Sequence, residues 1–257
     1  CDMRGVCAVC AGAGIDWTPS PASRHEAMTS LLETVEHETG PNPQWSVLWL
    51  HGLGADGNDF APIVPELVRK DWPAIRFVFP HAPVRAVTIN GGARMRAWYD
   101  IKSFDFSDMN LANRADGEGV AESMTQVEAL IAREAERGIA ADRLLLAGFS
   151  QGGAITLAAG IARATPLAGL IALSTYLPMT PAQAQAALHP AATSQPLFMA
   201  HGQFDPVVPY AGGESSAAAL KQCGFDVQWH RYPMQHAVCA EEIRDLGDWM
   251  DARFAAG

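Results

Sequence analysis

Residues 144–163 read LLLAGFSQGGAITLAAGIAR, and no other stretch of the chain limits the possible folds so tightly. Leu144 to Ala147 is a short apolar run of the kind that forms a buried strand. From Gln151 to Arg163 the pattern predicts a helix. Its residues Ala154, Ile155, Leu157, Ala158, Ala159 and Ile161 are apolar on nearly every side, so that helix belongs inside a core. Between the two lies Gly148-Phe149-Ser150-Gln151-Gly152, a G-x-S-x-G pattern. Strand, sharp turn and buried helix form the context of a nucleophile elbow, which lifts a serine hydroxyl above the end of a sheet. Gly148 and Gly152 are required where side chains would collide as strand and helix pass. A phosphate-binding turn is the alternative, but it would carry more glycine before the helix and usually a lysine.

The remaining sequence repeats this alternation. Trp45–Leu50, Ile75–Phe79, Leu170–Leu173, Leu197–Ala200 and Val227–Tyr232 read as further strands. Val120, Met124, Val127 and Ile131 recur at helical spacing, and Gly138 followed by Ile139 stops that helix with a hydrophobic latch. Gly213–Gln222 and Ala240–Phe254 read as two more helices. Strands alternating with helices predict an α/β fold: a mostly parallel sheet covered on both faces. No repeat or linker divides the chain, so one domain is expected.

A serine needs a base, and the base needs an orienting acid. In an elbow architecture these follow in the order acid, then histidine, each in a loop after a late strand. Asp205, in AHGQFDPVVP, and His236, in YPMQHAV, occupy those places. His189 lies between a helix and a strand, and His201 and His230 lie at the end of strands or inside them. Asp226 and Asp245 fall at a strand start and on a helix surface. The oxyanion of an acyl-transfer intermediate needs two backbone N–H donors. Gln151, next to the nucleophile, supplies one, and Leu53, in the glycine-rich turn HGLGADG after the first apolar strand, supplies the other. Gln151 is expected to act through its backbone alone. This chemistry calls for no metal and no cofactor.

Charge narrows the partners. Eighteen Lys and Arg against 28 Asp and Glu give a net charge of -10, which argues against nucleic acid or an anionic membrane as the main partner. No apolar run approaches the length of a membrane-spanning helix. Three of the five cysteines, Cys1, Cys7 and Cys10, crowd the first ten residues. Cys7 and Cys10 form a C-x-x-C without a second metal-ligand pair, and they are read as incidental. Cys223 and Cys239 are expected to be free and partly buried, in keeping with a reducing, cytoplasmic compartment. A lipid on Cys1 is the alternative. Residues 1–27 are read as an N-terminal extension, disordered or a cloning remnant, with residues 28–257 as the catalytic domain.

Seven ordered segments carry a resemblance: LHGLGADGNDF, FPHAPVRAVTINGG, MRAWYDI, RLLLAGFSQGGAITL, LSTYLP, AHGQFDPVVP and YPMQHAV. Over roughly residues 30–254 the chain resembles the phospholipase/carboxylesterase family, which includes acyl-protein thioesterases and small bacterial carboxylesterases. The resemblance implies an α/β-hydrolase fold without a large cap domain. It implies a Ser150–His236–Asp205 triad, with Leu53 and Gln151 as oxyanion donors. It places Trp98 and Leu177 near an acyl-binding groove, although Arg96-Ala97 and Thr175-Tyr176 depart from the family pattern beside those positions. The function implied is hydrolysis of small carboxylic esters, with thioesters or lysophospholipids as further substrates, by a monomer or homodimer. The rivals are a non-catalytic binding module, a serine peptidase on the same fold and a dienelactone-type hydrolase. The first would usually lack a triad member, the second would need an extra domain, and the third normally uses cysteine.

Overall fold

The computed structural model of the protein describes residues 31–103 and 115–255. Cys1, Cys7, Cys10 and the whole extension 1–27 lie outside the described residues.

The predicted alternation is present. Strands β1 (Thr34–Glu38), β2 (Trp45–Leu50) and β3 (Ile75–Pro80) come first, followed by a two-stranded hairpin, β4 (Val84–Val87) and β5 (Ala93–Arg96). Strands β6 (Leu144–Phe149), β7 (Gly169–Leu173), β8 (Leu197–Gly202) and β9 (Val227–Tyr232) follow. Among the described residues, the central sheet has seven strands in the order β1-β3-β2-β6-β7-β8-β9. All its pairings are parallel except the outermost, where β1 runs antiparallel to β3. The helices are α1 (Ile63–Leu67), α2 (Gly117–Glu136), α3 (Gln151–Ala162), α4 (Pro181–Ala187), α5 (Tyr210–Gln222) and α6 (Ala240–Phe254). No large cap domain is present among the described residues, and none of their helices is long and apolar enough to cross a membrane.

Covering both faces explains why β2, β6, β7 and β8 are apolar without alternation. Leu48, Leu50, Leu144, Leu146 and Leu170 pack into a core with α2 and α3. Their neighbours Val47, Trp49, Leu145, Ala147 and Ile171 pack on the opposite face against α1 and α6. Helix α3 is buried from Gln151 through Ile161, as its all-round apolar composition predicts. Helix α5 begins at Tyr210, three residues before the predicted start, because Pro209 fits its N-terminal boundary. Cys223 and Cys239 are free thiols and half-buried.

Candidate active site

Ser150 stands between β6 and α3 with φ 53° and ψ −119°, a backbone conformation that L-residues rarely adopt. Its surroundings hold it there. Its N–H donates to Leu173 O at 2.9 Å, and its carbonyl accepts from Ala154 N–H at 3.1 Å and from Thr175 Oγ1 at 2.6 Å. The glycines of the motif are obligatory. A Cβ on Gly148 would lie 2.4 Å from the Gly152 carbonyl carbon, and one on Gly152 would lie 2.3 Å from Leu50 O.

The loops after β8 and β9 bring Asp205 and His236 to this serine. His236 Nε2 lies 2.9 Å from Ser150 Oγ, and His236 Nδ1 lies 2.7 Å from Asp205 Oδ2. With the carboxylate accepting from Nδ1–H, Nε2 is left as an acceptor for the serine hydroxyl. Asp205 Oδ1 accepts from Val207 N–H at 2.8 Å and from Val208 N–H at 2.9 Å. Burial disfavours the Asp205 carboxylate, but His236 and the two amides outweigh it and hold the group below its ordinary range. His201, at the end of β8, is fully buried and donates from Nε2 to Val208 O at 2.9 Å, with Asp205 Oδ2 3.4 Å away. Burial keeps this imidazole neutral. It braces the turn that presents both amides to Asp205, a task that a lone histidine in a strand does not announce. Asp245, the competing acid, instead accepts from Tyr232 OH at 2.7 Å.

On the other side of Ser150 runs the turn after β2. A Cβ on Gly52 would lie 3.5 Å from Ser150 Cβ, so this turn passes directly beside the nucleophile. Gly54 N–H is spent on Arg96 O at 2.9 Å, whereas Leu53 N–H has no acceptor among the described residues. Gln151 N–H, in the first turn of α3, has none inside its own helix. Both amides are available to a ligand oxygen. The turn is tightly braced. His51 donates from Nδ1 to Gly52 O at 2.7 Å and accepts Ala82 N–H on Nε2 at 3.1 Å, and burial holds it neutral.

Trp98 belongs to this bracing. Its indole N–H donates to His51 O at 2.9 Å, its carbonyl accepts from Ser123 Oγ, and its side chain is 0% exposed. Trp98, expected near an acyl-binding groove, is wholly buried and supports the turn through its bond to His51 O. Leu177, 5% exposed, is likewise packed into the α3-side core, with its N–H donating to Ser216 Oγ at 2.9 Å. The side chain of Gln151, expected to be idle, accepts Trp98 N–H and donates to Tyr99 O, each at 2.8 Å. No group of three or more His, Cys, Asp or Glu among the described residues could hold a metal ion.

The chain is similar to known proteins in both sequence and fold. Residues 32–253 match the phospholipase/carboxylesterase family. An acyl-protein thioesterase 1 of Neurospora crassa is 38% identical over 211 residues, covering 81% of this chain and 86% of that protein. A probable carboxylesterase of Oryza sativa subsp. japonica is 33% identical over 205 residues, covering 79% of this chain and 76% of that protein. The crystal structure of Arabidopsis thaliana SOBER1 superposes with a TM-score of 0.75 at 29% identity, covering 81% of this chain and 98% of that one. Zea mays acyl-protein thioesterase 2 gives a TM-score of 0.72 at 28% identity, with 86% and 99% covered. Both the sheet order and these neighbours are those of the α/β-hydrolase fold, and the chain belongs to the phospholipase/carboxylesterase family of serine ester hydrolases.

Proposed function

We propose that this hydrolase cleaves carboxylic esters and thioesters through an acyl-enzyme on Ser150. The observation that carries the reading is the hydrogen-bonded line Ser150–His236–Asp205, set on a strained elbow beside two uncommitted amides. His236 Nε2 takes the hydroxyl proton as Ser150 Oγ attacks the carbonyl carbon. Asp205 orients the imidazole and stabilises its cation. The carbonyl oxygen becomes an oxyanion facing Leu53 N–H and Gln151 N–H, with the start of α3 adding favourable partial charge. His236 then protonates the departing oxygen or sulfur. Water, deprotonated by the same imidazole, releases the acid.

Thioesters are included because several relatives are named acyl-protein thioesterases. The catalytic unit is read as residues 28–257, acting in the cytoplasm as a monomer or homodimer. Ser150→Ala should lower kcat by at least about 10³-fold and abolish fluorophosphonate labelling, with melting temperature preserved. Labelling that persisted on another serine would overturn the assignment. Turnover of an S-acyl peptide, measured beside an oxygen ester of the same acyl group, tests the thioester reading.

A further inference from the structure

A groove of about 410 Å³ opens next to the triad, on the α1/α6 face of the sheet. The His236 ring forms one wall. Phe149 lies against it, with ring centroids 4.8 Å apart, and Phe60 lies 5.3 Å beyond Phe149. Ile63, Val238 and Ile243 extend the apolar lining. The groove also has two exposed carboxylate side chains, Asp59 and Glu66, and no Lys or Arg among its lining residues. Its volume is within the range of small-molecule sites. Leu53 and Leu177 pack on the opposite face of the sheet, with the α3 core. The groove reaches the neighbourhood of the oxyanion turn through Phe149, whose ring edge would lie 3.4 Å from a Cβ on Gly52.

We infer that this groove receives the leaving group of the substrate, and that it favours an alcohol or thiol with an apolar body and a positive charge at its outer end. The inference rests on the acyl-enzyme reading. In the tetrahedral intermediate, the former carbonyl carbon carries four groups: Ser150 Oγ, the oxyanion, the acyl chain and the leaving oxygen or sulfur. As the carbon–heteroatom bond breaks, its electron pair stays on the heteroatom, which takes the proton that His236 Nε2 received from Ser150. Only His236 can deliver that proton, so the heteroatom turns towards the imidazole and its substituent enters the groove that the imidazole lines. Phe60, Ile63, Phe149 and Ile243 desolvate the apolar body. Asp59 and Glu66 meet the charge.

Two ester series test this. In the first, the acyl group is fixed as butyrate and the leaving group is 4-(trimethylammonio)phenol, its neutral isostere 4-tert-butylphenol, or methanol. In the second, the leaving group is fixed as 4-nitrophenol and the acyl chain runs from acetate to octanoate. Glu66→Lys, alone and with Asp59→Asn, should lower the cationic-to-neutral ratio of kcat/KM about threefold to tenfold, with the effect shrinking at high salt. Ile243→Trp should lower kcat/KM for both aryl butyrates at least about tenfold relative to methyl butyrate. Deacylation involves no leaving group, so hydrolysis of the common butyryl-enzyme should proceed at one rate for all three butyrates. Unchanged ratios in the charge variants, or an altered acyl-chain profile in place of an altered leaving-group profile, would overturn the inference. If Ile243→Trp fails to fold, the charge variants decide. Absence of fluorophosphonate labelling at Ser150 in the unmodified protein would count against the acyl-enzyme reading instead.

Discussion

The two loops that flank Ser150 are built on different physical terms. The turn at residues 51–54 is fixed by buried, uncharged hydrogen bonds. Gln151 holds the 98–99 backbone, Trp98 holds His51, and His51 holds both Gly52 and Ala82. The loops carrying Asp205 and His236 are organised around a buried carboxylate and its donors. The first side supplies main-chain dipoles, whose value depends on not moving. The second side moves a proton, and its value depends on which atoms can hold a charge. A substitution on the first side should damage geometry and stability together. A well-chosen one on the second should remove chemistry and leave the fold.

Asp205→Asn is the sharpest test of that contrast. The amide keeps an oxygen for Val207 and Val208 but turns the wrong group towards His236. We expect kcat to fall about 10³- to 10⁴-fold, with melting temperature within a few degrees of the parent. Gln151→Ala should do the converse. It leaves Trp98 N–H without its acceptor in the interior, at about 1–3 kcal/mol, and takes the amide donor away from Tyr99 O. A urea titration should show that loss, and kcat should fall about tenfold to a hundredfold as the amides shift. Retained stability with lost activity would break the comparison. Trp98→Phe removes only the bond to His51 O and should cost kcat a few-fold, with KM nearly unchanged.

The smallest effect concerns a defect on the proton-handling side. Glu242, in the first turn of α6 just after the His236 loop, is 1% exposed. Burial pushes its pKa up to about 8, against the pull of the nearby Cys239 N–H. The unfolded chain releases this proton near the ordinary value of 4.5. Between the two values the native state holds the extra proton, so stability falls as pH rises through that window. Glu242→Gln removes the ionisation, and its advantage in melting temperature over the parent should be a few degrees at pH 8 and should vanish at pH 5.

What the sequence made legible follows the same divide. Strand β2 and helix α6 begin and end where their patterns predict, because continuous burial or a strong amphipathic stripe leaves its mark on every residue; β9 also keeps its predicted bounds, although only its two end residues are buried. Strand β1, TVEHE, has no apolar run: it sits half-exposed at the sheet edge, and pairing with β3 makes it a strand. The β4–β5 hairpin, VRAV and ARMR, was equally opaque, since its short strands are largely exposed. Ser150, Asp205 and His236 could be proposed from order and loop position alone. The side-chain tasks of Gln151, Trp98 and His201 could not. Each depends on partners brought close by the sheet, and in Gln151 the partners lie some fifty residues away along the chain.

The parallel sheet also governs when the enzyme can begin to work. Leu48 in β2 registers with Leu146 in β6, and Ala200 in β8 with His230 in β9, so the oxyanion turn, the nucleophile and the base are joined only by long-range pairings. Such contacts form late and slowly, since each closes a long loop before any gain is returned. No short segment of the chain holds the turn at residues 51–54, Ser150 and His236 together. During refolding from denaturant, esterase activity should therefore reappear in step with the last cooperative phase and never ahead of it, which makes turnover itself a reporter of complete chain assembly.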